Sequence, residues 1–197
     1  GKGRFVDQLI DGLWHLSNMP TWVLSAHLPR QKSKRSLPDP REQLIDLGSG
    51  GLAAQVAVAW HFFHETFDKV DPVISYVIQE AMKKQILDPY LNIAEYRPNW
   101  WLGFELNNWN PWCNADVILC FLLMEKDPQR LEHALRQSAR SVDKFWDYVK
   151  SDGACEEGPA YWGHAAGKLY DYLKIMSEAS DGRFSFFDNK QIKDMGE

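Results

Sequence analysis

The chain has 197 residues, 45% of them hydrophobic and 25% charged, the proportions of an ordinary globular protein rather than of a disordered, collagenous or coiled-coil one. Its net charge of -5 gives no overall attraction to nucleic acid or to an anionic membrane surface, and no stretch approaches the ~20 apolar residues that span a bilayer. The unusual quantity is aromatic: 9 Trp, 7 Tyr and 10 Phe make up 13% of the residues.

Phe5, Leu9, Leu13 and Leu16 recur near helical spacing, and Met19-Pro20 stops that helix. Thr21 to Leu28 is a short Trp-bearing stretch closed by Pro29. Arg30 to Arg41 is a polar loop with five basic residues, and Pro38 and Pro40 block a continuous helix there. Gly48-Ser49-Gly50-Gly51 can end one short helix and launch another, which runs from Leu52 to near Phe67 with Val56, Trp60 and Phe63 on one face. Asp71-Pro72 reads as the N-cap and first-turn proline of a helix through Leu87. Asp88-Pro89 ends that helix or begins a short one, and Arg97-Pro98 marks a further boundary.

From Trp112 to Met124 apolar residues fill most positions on all sides, the pattern of a helix buried on more than one face. Asp127-Pro128 repeats the cap, opening an amphipathic helix to Val149. Ser151-Asp152-Gly153 turns the chain, and Glu157-Gly158-Pro159 opens another helix. There Tyr161, Ala165, Leu169, Tyr172 and Leu173 lie near one face, until Asp181-Gly182 ends it. Asp188-Asn189 looks like the cap of one more. Six or seven helices, short turns and no strand pattern predict a single all-α domain over residues 1–197. Connections this short favour antiparallel helical hairpins, in a bundle or a toroid.

Cys113, Cys120 and Cys155 are too few and too irregular for a disulfide framework or a zinc site. Cys113 and Cys120 are two helical turns apart, too far for a bridge on one helix, and are expected as buried thiols. His61 and His64 have no third ligand nearby, so neither a metal nor a cofactor is expected.

Two stretches carry chemistry. Asn107-Asn108-Trp109-Asn110-Pro111-Trp112-Cys113-Asn114 interleaves amides with flat aromatic faces, a surface suited to a sugar ring. An amide can also donate to a substrate carboxylate and stabilise the charge that grows in an enolate-like transition state. The same Asn residues can instead cap the helix that follows while the Trp residues fill core. In the second stretch, Asp152 to His164, Tyr161 projects from the first turn of a helix beside a glycine loop, with Glu157 just before it and His164 three residues on. A tyrosine hydroxyl, with a pKa near ~10, is a natural proton donor at neutral pH.

Together these stretches resemble the heparinase II/III-like polysaccharide lyases. The specific match runs from about Trp100 to Leu173: Asn-Asn-Trp-Asn-Pro-Trp-Cys-Asn, then Asp-Gly-x-Cys-x-Glu-Gly-Pro-x-Tyr-Trp. The resemblance implies an α/α toroid followed by a β-sandwich domain, and β-elimination on uronic-acid polysaccharides such as glycosaminoglycans or alginate. It implies that Asn108, with Asn107 as the near alternative, neutralises the uronate carboxylate. It further implies that Tyr161 acts as general acid/base, protonating the glycosidic oxygen and for some substrates abstracting the C5 proton, that Glu157 orients the site, and that Trp109, Trp112 and Trp162 wall the subsites. Asn110 and His164 join them as substrate-binding candidates. Where some relatives carry a histidine beside the Asn108 position, this chain has Trp109, which leaves the sugar and its epimer open. The resemblance also implies that the chain is a fragment, with the β-sandwich and its further catalytic groups in a missing C-terminal part of the same protein. It likewise implies export to a bacterial periplasm or beyond, and low activity from this chain alone.

Two alternatives are a glycoside hydrolase and a non-catalytic glycan-binding module. The hydrolase needs a carboxyl pair flanking the bond, for which Asp152, Glu156, Glu157 and, across the groove, Glu105 are the candidates.

Overall fold

The structure is a computed structural model that describes residues 3–92, 99–103, 106–150, 153–154 and 157–195. Among these the chain forms helices and no strand, in agreement with the all-α expectation.

Helix α1 (Val6–Ser17) buries Leu13, and the Trp22 indole N–H ties the next segment to it by donating to the Leu16 carbonyl at 2.8 Å. A 3-10 turn follows, Ser25–Arg30. Pro29 lies inside this turn instead of closing the stretch before it, because proline's fixed φ matches 3-10 geometry.

Helix α2 (Leu47–Val70) corrects the reading of the glycine run. Gly48, Gly50 and Gly51 sit inside its first turns, not between two helices. Asp46 explains this: its Oδ1 accepts the Ser49 N–H at 2.7 Å, while Ser49 Oγ accepts the Asp46 N–H at 2.9 Å. This reciprocal cap offsets glycine's poor helix propensity. Packing also favours glycine here, since a Cβ on Gly48 would lie 2.8 Å from Leu24 Cγ.

Helix α3 (Pro72–Met82) starts where expected, with the Asp71 carboxylate accepting the Val73 N–H at 2.9 Å. A π-helical turn, Lys83–Leu87, then leads into the short α4 (Asp88–Leu91). Helix α5 (Trp109–Met124) begins one turn earlier than the apolar run from Trp112 predicts. Helix α6 (Pro128–Tyr148) is capped by Asp127, which accepts the Gln129 N–H at 2.8 Å. The helix expected from Pro159 opens as a 3-10 turn, Pro159–Tyr161, before α7 (Trp162–Ala179). Asn189 caps the last helix, α8 (Lys190–Asp194).

The helices lie in two rows. Helix α5 stands between α2 and α7 and packs on both; α1, α3–α4 and α6 form the second row, joined to the first through α2–α3 and α5–α6. The all-round apolar character of α5 follows from this central place: Cys113, Val117, Ile118, Cys120 and Phe121 are fully buried. Cys113 and Cys120 are free thiols as expected, and burial raises the pKa of both, which keeps them unreactive. Cys155 lies outside the described residues, as do Arg97 and Pro98.

A buried polar ladder pins α4, α5 and α6 together. Tyr90 donates its hydroxyl to Asn114 Oδ1 at 2.8 Å, and Asn114 Nδ2 donates to Ser141 Oγ at 3.0 Å. Burial pushes the Tyr90 hydroxyl well above its ordinary pKa, so it remains a donor.

Candidate functional site

The two stretches singled out in the sequence meet at one bond pair. Asn108 Nδ2 donates to Glu157 Oε1 at 3.2 Å, and the Asn108 backbone N–H donates to Oε2 at 3.3 Å. The residues are 49 positions apart, and the contact places the mouth of α5 beside the loop that leads into α7. Asn108 is only 4% exposed. Its neighbour Asn107 is half-buried, and Asn107 Oδ1 accepts the Trp109 N–H at 3.0 Å. Asn107 is therefore the amide a ligand can reach, and Asn108 is the anchor that holds Glu157.

A cavity of about 160 Å³ opens beside Asn107 and Glu157, with Phe145, Trp162 and Met195 in its walls.

The aromatic side chains form a strip across the row of α5 and α7. Trp100, from the 3-10 turn Trp100–Leu102, lies against Trp109 with ring centres 5.0 Å apart. Trp109 and Trp112 are three residues apart on α5 and so are neighbours on its surface. Trp112 stacks on His164 at 4.8 Å with planes 14° apart, and His164 meets Tyr161 edge-on at 5.7 Å. Tyr161 is 49% exposed at the end of this strip.

Cations border it. Lys168 Nζ sits 5.2 Å above the Trp112 ring and 3.2 Å from Asp171, and Arg30 lies 4.9 Å over Trp100. The strip offers apolar faces, a phenol and positive charge.

Asn110, also expected at the site, does not join them. It is fully buried, with Nδ2 donating to the Trp101 carbonyl at 2.8 Å and to Ser141 Oγ at 3.0 Å. Proline at the following position and the early start of α5 turn its amide into the core.

Three neighbours of the strip escaped sequence reasoning. His27 meets Trp109 edge-on at 5.0 Å and shares a 2.6 Å bond with the fully buried Asp46; its partners are far along the chain, so no local pattern marks it. Lys168 and Asp116 follow His164 and Trp112 by one helical turn on their helices, a spacing that could have flagged both. Asp116 is largely buried against Gly50 and Gly51 of α2. Burial pushes its carboxyl up to about 6, reinforced by Asp171 and opposed by Lys168 and Trp112.

Of the carboxylates a hydrolase would use, Asp152, Glu156 and Glu105 lie outside the described residues, and Glu157 has both oxygens engaged by Asn108. Among the described residues no group of three or more metal-ligating side chains comes together. No helix among them is long and apolar enough to cross a membrane.

No protein-family model matches the chain, and no curated protein matches it either.

Proposed function

We propose that this chain is the helical part of a polysaccharide lyase that cleaves uronic-acid polysaccharides by β-elimination. The observation that carries the reading is the bond pair between Asn108 and Glu157, which joins the two motifs of the lyase resemblance at one end of an aromatic strip. The packing of α2 with α3 and α5, and of α5 with α6 and α7, also supports it, since each of α2 and α5 pairs with the helix that follows it in the chain, as helical hairpins of an α/α toroid do.

The proposed chemistry follows from the groups present. An uronate ring stacks on Trp109 and Trp112, and its carboxylate accepts from the Asn107 amide. In this division of labour Asn107 supplies the accessible donor, while Asn108, first expected in that role, holds Glu157. Neutralising the carboxylate acidifies the C5 proton, because the charge of the enolate-like state collects on the same oxygens. The C5–H bond breaks, its electron pair forms the C4–C5 double bond, and the C4–O bond breaks as Tyr161 delivers its proton to the leaving oxygen. The base and further groups belong to the β-sandwich that the resemblance implies, and export beyond the cytoplasm is part of the same proposal.

Tyr161→Phe in the full-length protein tests it. The hydroxyl is exposed and the ring contact with His164 survives, so the variant keeps its thermal unfolding midpoint while the ultraviolet absorbance of unsaturated product falls by two or more orders of magnitude, as removal of a general acid requires. Unchanged product formation would sink the assignment.

A further inference from the structure

We propose that the 3-10 turn Ser25–Arg30 supplies a second sugar subsite, in which Arg30, held over the Trp100 ring, binds the anionic group of an acidic sugar. The inference rests on the acidic-glycan reading above and adds a specificity-determining residue from a segment outside both motifs.

Side chains three apart eclipse one another on a 3-10 helix, so His27 and Arg30 emerge on the same side of the turn. Each meets a different Trp: His27 at 5.0 Å from Trp109, Arg30 at 4.9 Å from Trp100. The two indoles are themselves in contact at 5.0 Å, which closes a four-residue cluster contiguous with the strip that leads to Tyr161.

The turn is fixed from beneath. Asp46 Oδ2 accepts the Leu24 N–H at 3.0 Å and bonds His27 Nδ1 at 2.6 Å, while its other oxygen caps α2. The position of Arg30 is therefore tied to the first turn of α2.

Among the described residues no carboxylate pairs with Arg30, which is exposed. Arg41, at the far end of the same loop, is different: its Nε and Nη2 donate to Asp39 at 2.9 and 2.7 Å, and that guanidinium holds the Asp39 carboxyl well below its ordinary range. The loop thus commits one arginine to its own structure and leaves another over an indole of the aromatic strip. A guanidinium there can give two parallel N–H bonds to a carboxylate or a sulfate ester.

The test is titration calorimetry on the full-length protein with a hyaluronan hexasaccharide, which carries carboxylates, a heparan sulfate hexasaccharide, which adds sulfate esters, and carboxyl-reduced hyaluronan, which carries neither. Arg30→Gln should weaken acidic oligosaccharides roughly ten- to hundredfold, the range of a hydrogen bond to a charged group, and leave the neutral one unchanged. Loss on both acidic chains assigns the carboxylate; loss confined to heparan sulfate assigns the sulfate ester. Arg41→Gln, the internal control, should change none of the three. If Arg30→Gln binds as the wild type does while Trp112→Ala weakens binding, the second subsite is overturned and the acidic-glycan reading stands. A wild type that binds neither acidic chain overturns both.

Discussion

Asp116 sits one turn past Trp112 on α5, with its Oδ2 buried and without a hydrogen bond among the described residues. Its folded-state pKa is raised from the ordinary 3.8 to about 6, so folding disfavours its ionised form. The resulting penalty is absent below pH ~4, grows as pH rises through the interval, and is fully present above ~6. Asp116→Asn should therefore gain about 2–3 kcal/mol at pH 7.5 and nothing at pH 4, read from urea unfolding midpoints; an equal gain at both pH values would contradict this. At the same scale the sequence separated Asn107, Asn108 and Asn110 poorly. The three share composition and spacing, and only the path of α5 decides that one reaches solvent, one grips Glu157 and one braces Ser141. The positions of Glu157 and Tyr161 were more legible, because glycine and proline at 158–159 fix where the next helix begins.

At the scale of elements, caps were the readable feature. Asp71, Asp127 and Asn189 each accept backbone N–H groups where the sequence places an N-cap, since capping depends on residues two or three positions away. The glycine run before Leu52 misled for the converse reason: a reciprocal Asp46–Ser49 cap and close packing on Leu24 override local propensity. Asp46 also does more than a cap. Asp127→Ala should cost about 1 kcal/mol. Asp46→Ala, which also strips acceptors from Leu24 and His27, should cost about 2–4 kcal/mol and loosen the turn that carries Arg30. Denaturant midpoints for the two variants check this, and equal losses would contradict a hub at Asp46.

For the whole molecule, the sequence conveyed an all-helical chain with one helix apolar on every side, and the structure explains that helix by its place between α2 and α7. It could not convey the two-row arrangement, because the contacts of α5 with α2 and α7 join segments far apart in the chain. The arrangement brings the Trp100–Trp109 pair, the Asn107–Asn108 pair and Tyr161 onto neighbouring elements, and the proposed lyase rests on that convergence. Elimination and hydrolysis differ in whether water enters the product. The most direct measurement is therefore digestion of a uronic-acid polysaccharide by the full-length protein in heavy-oxygen water, followed by mass spectrometry of the oligosaccharides. β-Elimination gives products that carry a C4–C5 double bond and no solvent oxygen in the newly formed ends; saturated products that carry the heavy label would overturn the lyase proposal.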